Sequence, residues 1–111
     1  MSFQNQFTKT TTDANLMETV HHGSAEYPFR YYYENIALFD FKCIDWHWHS
    51  ELEFIYIESG NVVFDIGTVH FELNEGNGIM INSKILHRLQ SSSDAIIPNF
   101  LFQPSFIAPQ D

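Results

Sequence analysis

Basic residues are scarce in this chain. Five Lys and Arg stand against fourteen Asp and Glu over 111 residues, a formal charge of -9. A surface of that sign repels a phosphate backbone, so the chain is not expected to hold nucleic acid by itself. Cysteine is scarcer still. The single Cys43 excludes an internal disulfide framework and fits a reducing, cytoplasmic setting. Lying between apolar neighbours, it reads as a small buried hydrophobe rather than a nucleophile. No apolar run approaches a membrane span, and no basic-then-apolar leader opens the chain, so no membrane partner is expected. No stretch carries a convincing helical period, and no internal repeat is visible.

What the chain does have is aromatic residues and alternation. Its length suits one domain with one core. Eleven Phe, five Tyr and two Trp suit strands around a thick interior. Residues 1–26 are polar, rich in Thr, Asn and Gln, and read as a flexible N-terminal arm with one short ordered piece near Leu16–Val20. Residues 27–111 read as the ordered domain. Phe39, Phe41 and Cys43 alternate with Asp40 and Lys42, which predicts a strand. Leu52–Ile57 predicts a second, and Gly60-Asn61 a tight hairpin turn into a third, Val62–Ile66. Gly67-Thr68 turns the chain into Val69–Leu73, and Asn74–Gly78 turns it into Ile79–Ile81. After a bend at Asn82–Lys84, Ile85, His87 and Leu89 share one strand face. Ser91–Ser93 is a turn. Ile96–Phe102 is the last strand, and Pro98 within it demands an edge or a bulge. Many short strands at this spacing predict an all-β antiparallel sandwich or barrel.

The chemistry gathers at His47, His49 and Glu53. In extended chain these share parity, so they are expected on one wall. His87, from a strand opposite, would complete a set of three imidazoles and a carboxylate. Such nitrogen and oxygen donors suit a divalent Zn, Ni, Fe or Mn ion. The same set also reads as a polar hydrogen-bond network in a barrel mouth. Glu51 has the same parity. It either bonds a ligand hydroxyl or orients a histidine, or it sits in water where the strand begins, and the last is preferred. Phe39, Phe41, Phe64 and Phe71 are assigned inward, with Phe41 and Phe64 as candidates to line a ligand pocket. Trp46 and Trp48 fall on the outer side. Arg88 is expected outside in a surface ion pair. His21, His22 and His70 read as solvated or loop residues without a role.

These residues resemble a known family. His47, His49, Glu53 and Gly60 match the first cupin motif throughout, except that Phe41 stands where a glycine is usual before the first histidine. Gly76 and His87 match the second motif in register, with Asn82 and Lys84 in place of its proline and glycine. Trp46-His47-Trp48-His49, Glu53-Phe54-Ile55-Tyr56, Asn82-Ser83 before His87, and Tyr27-Pro28-Phe29 through Glu34 look like the sensor domains of AraC-type transcription regulators. The resemblance covers roughly residues 27–103. It implies a double-stranded β-helix, or jelly-roll barrel, that holds a small-molecule effector and dimerises. The effector is expected to be a sugar or related metabolite. DNA would be met only through a C-terminal domain with two helix-turn-helix units that this chain lacks, so Asp111 is expected to fall short of the natural end. The apolar tail through Phe100, Leu101, Phe102, Phe106 and Ile107 would pack against a dimer mate or that domain. No catalytic residue is assigned. The competing readings are a stand-alone metal-dependent cupin enzyme, a dioxygenase or isomerase using the same four residues, and a pure dimerisation module with a dry barrel.

Overall fold

Alternating apolar and polar residues build eight strands among the residues described, 9–24 and 26–107 of a computed structural model. They are β1 (Phe29–Asn35), β2 (Cys43–His47), β3 (Leu52–Tyr56), β4 (Asn61–Ile66), β5 (Val69–Asn74), β6 (Gly78–Ile81), β7 (His87–Gln90) and β8 (Ile96–Phe102). Two four-stranded sheets result, in the orders β1-β8-β3-β6 and β2-β7-β4-β5, and every pairing is antiparallel. Consecutive strands mostly fall in opposite sheets, which is jelly-roll winding. The inner faces meet in a core of Ile36, Ile44, Ile55, Ile57, Phe64 and Leu89 with their neighbours.

Several local expectations are corrected. Residues 39–42 do not form a strand: two 3-10 turns, Ile36–Leu38 and Asp40–Lys42, precede β2, which begins only at Cys43. Phe41 takes φ 60 and Lys42 φ 50, a left-handed bend that turns Phe41 outward, 98% exposed. Phe41 thus lines no pocket. The bend explains the glycine expected at this position, because glycine alone adopts it without strain. Gly60-Asn61 is not a tight hairpin either. β3 and β4 belong to different sheets, and Gly60 carries the chain between them at φ 84. Only β4 and β5 form the expected hairpin, across Gly67-Thr68. Ile85 lies outside β7 and is exposed.

Pro98 sits on β8, which is flanked by β1 and β3 rather than at an edge. Ile55 pairs with Asn99, but Ser59 bridges Ile96, so the register slips by one residue across Pro98. The bulge spares β3 a hydrogen bond that proline could not donate.

The arm is docked over residues 9–24. Trp48 N–H donates to Leu16 O at 3.0 Å, Glu18 N–H to Trp48 O at 2.8 Å, and the Trp48 indole to Asn15 O at 2.9 Å. Order in the arm thus extends beyond the one short piece expected near Leu16–Val20, to Thr10 and His22. At the other end, Gln103 N–H donates to Pro28 O at 2.7 Å, and a short helix, α1 (Pro104–Ile107), follows. Residues 1–8, 25 and 108–111 lie outside the described residues, as do the Phe106 and Ile107 side chains of the apolar tail. Among the described residues no helix is long and apolar enough to cross a membrane.

Candidate metal and ligand site

The site starts from a bulge. β2 and β7 pair Ile44 with Leu89 and then His47 with His87, so Asp45 and Trp46 together oppose Arg88. Ile44 faces inward; strict alternation would aim Trp46 in and His47 out. The extra residue reverses this and buries His47. The rings of His47 and His87 lie 4.1 Å apart, centroid to centroid. The chain then crosses to the other sheet. His49 lies in the connection and Glu53 on β3. The four side chains therefore meet across the barrel from two sheets, not on one wall as parity implied. All four are buried, and their ligand atoms lie within 4.8 Å of one another.

Backbone carbonyls hold each imidazole by its Nδ1. His47 Nδ1 lies 2.8 Å from Asp45 O, His49 Nδ1 3.0 Å from Glu51 O, and His87 Nδ1 2.7 Å from Ile85 O. A carbonyl only accepts, so each Nδ1 carries a hydrogen and each Nε2 is left to face the cavity. Glu53 Oε1 stands 3.1 Å from His49 Nε2 and 3.2 Å from His87 Nε2. Adjacent donors around an ion with bonds of about 2.1 Å sit about 3.0 to 3.4 Å apart. The donor set and its oriented nitrogens fit a divalent transition metal, which His47, His49, His87 and Glu53 would hold.

The electrostatics of the cluster are divided. Burial opposes charge on His49, but the Glu53 carboxylate outweighs it and lifts the imidazole to about 9. Burial likewise opposes ionisation of Glu53. Hydrogen bonds from His49 and His87 overcome it and hold the carboxyl well below its usual range. Burial, with His87 nearby, pushes His47 down to about 4, leaving a neutral imidazole.

Around this cluster lies a cavity with about 550 Å³ of empty space, open mouth included. Phe39, Ile44, Leu89, Ile97 and Leu101 give it apolar walls, and Tyr32, Glu34 and Asn99 give it polar groups. Asn99 Nδ2 donates to Glu34 Oε1 at 2.9 Å. Burial raises the Glu34 carboxyl to about 7 despite that bond. The arm forms the remaining wall through Lys9, Thr10, Thr11, Glu18, Val20 and His22.

His22 is the residue that sequence reasoning missed most plainly. Its sequence context suggests a solvated residue, yet it is 4% exposed. Its Nδ1 lies 2.7 Å from the Tyr32 hydroxyl, its Nε2 contacts the Glu18 carboxylate, and its backbone N–H donates to Glu51 Oε2 at 3.3 Å. Glu51 is buried rather than in water. Its carbonyl orients His49 while its carboxylate holds the arm. Phe64 is fully buried, stacked on Phe71 at 5.7 Å within the core, and does not line the cavity. Tyr32, Glu34 and Asn99 were legible in principle: Tyr32 and Glu34 share a strand face, and Asn99 pairs with Tyr32. The expected Arg88 ion pair is present, with Asp65 at 3.0 Å, and its guanidinium lies over Trp46.

Two four-stranded sheets wound around a three-histidine, one-carboxylate cluster define a cupin barrel. This chain belongs to the AraC-like ligand binding domain family, whose model matches residues 39–108. It is 33% identical over 101 residues to the uncharacterized HTH-type transcriptional regulator YdeC of Bacillus subtilis (strain 168), covering 89% of this chain. The chain spans 35% of that relative's length. Among solved structures it resembles a cupin-2 domain containing protein from Shewanella frigidimarina, with TM-score 0.60 and 13% identity over 68% of this chain and 72% of that one. It also resembles Bacillus subtilis oxalate decarboxylase, studied for its Mn(II) centers, with TM-score 0.52 and 23% identity over 58% of this chain and 19% of that one. At these identities the structural likeness establishes the fold.

Proposed function

We propose that this chain is the effector-sensing and dimerisation domain of a cytoplasmic AraC-type transcriptional regulator. Residues 1–26 are its arm and 27–111 its sensor barrel. DNA contact belongs to a separate helix-turn-helix domain, as the regulator similar to this chain is named for. The observation that carries the reading is the cavity whose wall is partly the arm. A small molecule seated there touches the arm and the barrel at once. It shifts the arm's position only as far as it binds one arrangement better than the other. The polar groups Tyr32, Glu34 and Asn99 in the lining support a hydroxyl-bearing effector such as a sugar or related metabolite.

His47, His49, Glu53 and His87 are proposed to bind a divalent metal, with Zn, Ni, Fe and Mn all suited to the donors. Glu51, by orienting His49, belongs to the same site. A bound ion would supply Lewis acidity to an oxygen of the effector. The second reading is a metal-dependent cupin enzyme, favoured by Glu34, a half-buried carboxyl near neutrality that lines the same cavity.

The test is calorimetric titration of the purified chain with Zn(II) and Mn(II), then a thermal-shift screen of neutral sugars. His49→Ala and Glu53→Ala should weaken metal binding by at least about tenfold while the barrel stays folded. Variants that unfold at room temperature would instead mark the cluster as a structural network. Turnover of a small oxidisable or enolisable substrate would move the assignment to the enzyme.

A further inference from the structure

The four cluster residues are not held alike. His87 and Glu53 lie on β7 and β3, within paired ladders. His47 ends β2, and His49 lies in the connection to β3. A connecting segment opens more readily than a ladder unless something ties it down. Here the arm ties it. Trp48, between the two histidines, forms a parallel bridge with Met17. Its N–H donates to Leu16 O at 3.0 Å, and its carbonyl accepts from Glu18 N–H at 2.8 Å. A hold on the Trp48 main chain sets the residues on either side of it, His47 and His49. The arm also reaches the residues that orient the rings. Asp45 N–H, in the bulge, donates to Thr10 Oγ1 at 3.2 Å, and the Glu51 carboxylate accepts from His22 N–H at 3.3 Å. Asp45 and Glu51 are the residues whose carbonyls hold His47 and His49 by Nδ1. From the other side, Lys84 N–H donates to His49 O at 2.8 Å and Ser83 Oγ to Ser50 O at 2.6 Å. The segment is clamped between the arm and that bend.

The arm is itself folded for this contact. Thr12 and Glu18 form an antiparallel bridge, and Thr19 N–H donates to Thr11 O at 2.9 Å. Asp13 ties the loop between them. Its Oδ1 accepts from Asn15 N–H at 2.8 Å and from Met17 N–H at 3.0 Å. Leu16 stands in the left-handed region at φ 66, and from there its carbonyl meets Trp48. Asp13 and Leu16 shape the loop without lining the cavity.

We infer that the arm is a positioning element of the metal site proposed above: docked, it fixes the segment Asp45–Glu51 and with it His47 and His49, so that arm docking and metal binding strengthen one another. The inference rests on that metal reading and adds the device that sets its affinity. With the arm undocked, the segment has to be ordered at the moment of binding, and part of the binding energy is spent on that ordering. Contacts that orient metal-binding side chains change affinity by about 10- to 100-fold. Linkage is reciprocal: whatever docking adds to metal affinity, the metal adds to docking. An ion alone therefore biases the arm, with no effector in the cavity.

Amide hydrogen exchange of the whole chain, followed by NMR with and without Zn(II), tests this. Saturating Zn(II) should slow exchange at the Glu18 and Trp48 amides by about tenfold or more. Calorimetric titration with Zn(II) tests the reverse direction. Leu16→Pro cannot take a positive φ and so breaks the loop; it should raise the dissociation constant by about tenfold. Asp13→Ala frees the Asn15 and Met17 amides and should raise it less. Asp13→Asn keeps the Oδ1 acceptor and should bind as the wild type does. Circular dichroism checks that each barrel is folded, and Asp13→Ala decides the matter if Leu16→Pro does not fold. Variants with a lowered unfolding midpoint but wild-type affinity would mark the arm contacts as structural only and overturn the inference. Unchanged exchange at Glu18 and Trp48 in a chain that binds Zn(II) would overturn it too, and leave the metal reading standing. A wild type that binds neither Zn(II) nor Mn(II) would overturn both.

Discussion

At the scale of single residues, a side chain's surroundings decide its role more than its type does. His22, His47, His49 and His87 are all buried, while His70 is a surface partner of Asp65 at 2.6 Å. Only the three whose Nδ1 is held by a carbonyl point Nε2 into the cluster. Phe41 is the converse case, a large apolar residue in left-handed backbone and in water. Phe41→Gly should relieve that strain and stabilise the fold by up to about 1 kcal/mol, measured by urea denaturation. A clear loss of stability would show that the ring makes a contact worth more than the strain. The cluster residues were legible because three histidines and a glutamate stood at motif spacing. The outward turn of Phe41 was not, since its alternation with Phe39 and Cys43 reads as a strand.

Among elements, the decisive features are the places where pairing breaks. The bulge between Ile44 and His47 buries His47, and the slip across Pro98 lets a proline sit within a sheet. Gly60 is the third such place. Its φ of 84 suits glycine, and a Cβ there would lie 2.5 Å from the Asp94 carbonyl oxygen. Gly60→Ala should destabilise the domain by at least about 2 kcal/mol, through strain and through displacement of the segment leading into β8. Thermal unfolding checks this; an unchanged midpoint would mean the crossing yields easily. Strand positions were mostly readable from alternation. Partnership was not. Gly60-Asn61 carries the letters of a hairpin turn, yet β3 and β4 part to opposite sheets, β3 between β8 and β6 and β4 between β7 and β5.

For the whole molecule, the barrel encloses charge as well as hydrocarbon. Glu34 shows the cost. Burial raises its carboxyl from the ordinary 4.5 to about 7 in the folded chain. The folded state therefore holds this proton more tightly than the unfolded state does. The resulting stability is fully present below about pH 4.5 and is lost as pH rises through 7, by as much as about 3 kcal/mol. Glu34→Gln should remove this slope, seen as a flatter dependence of the unfolding midpoint between pH 5 and 8; a slope unchanged in the variant would assign it to another group. The amino-acid sequence alone determined the all-β class, the approximate strands and the three-histidine, one-carboxylate set. Those follow from local alternation and from residue chemistry at fixed spacing. Only the tertiary structure decided that the four cluster residues converge from two sheets, that the arm walls the cavity through His22, and that one outer sheet face is left apolar. Each of these depends on which distant segments pack together, and no local pattern carries that information.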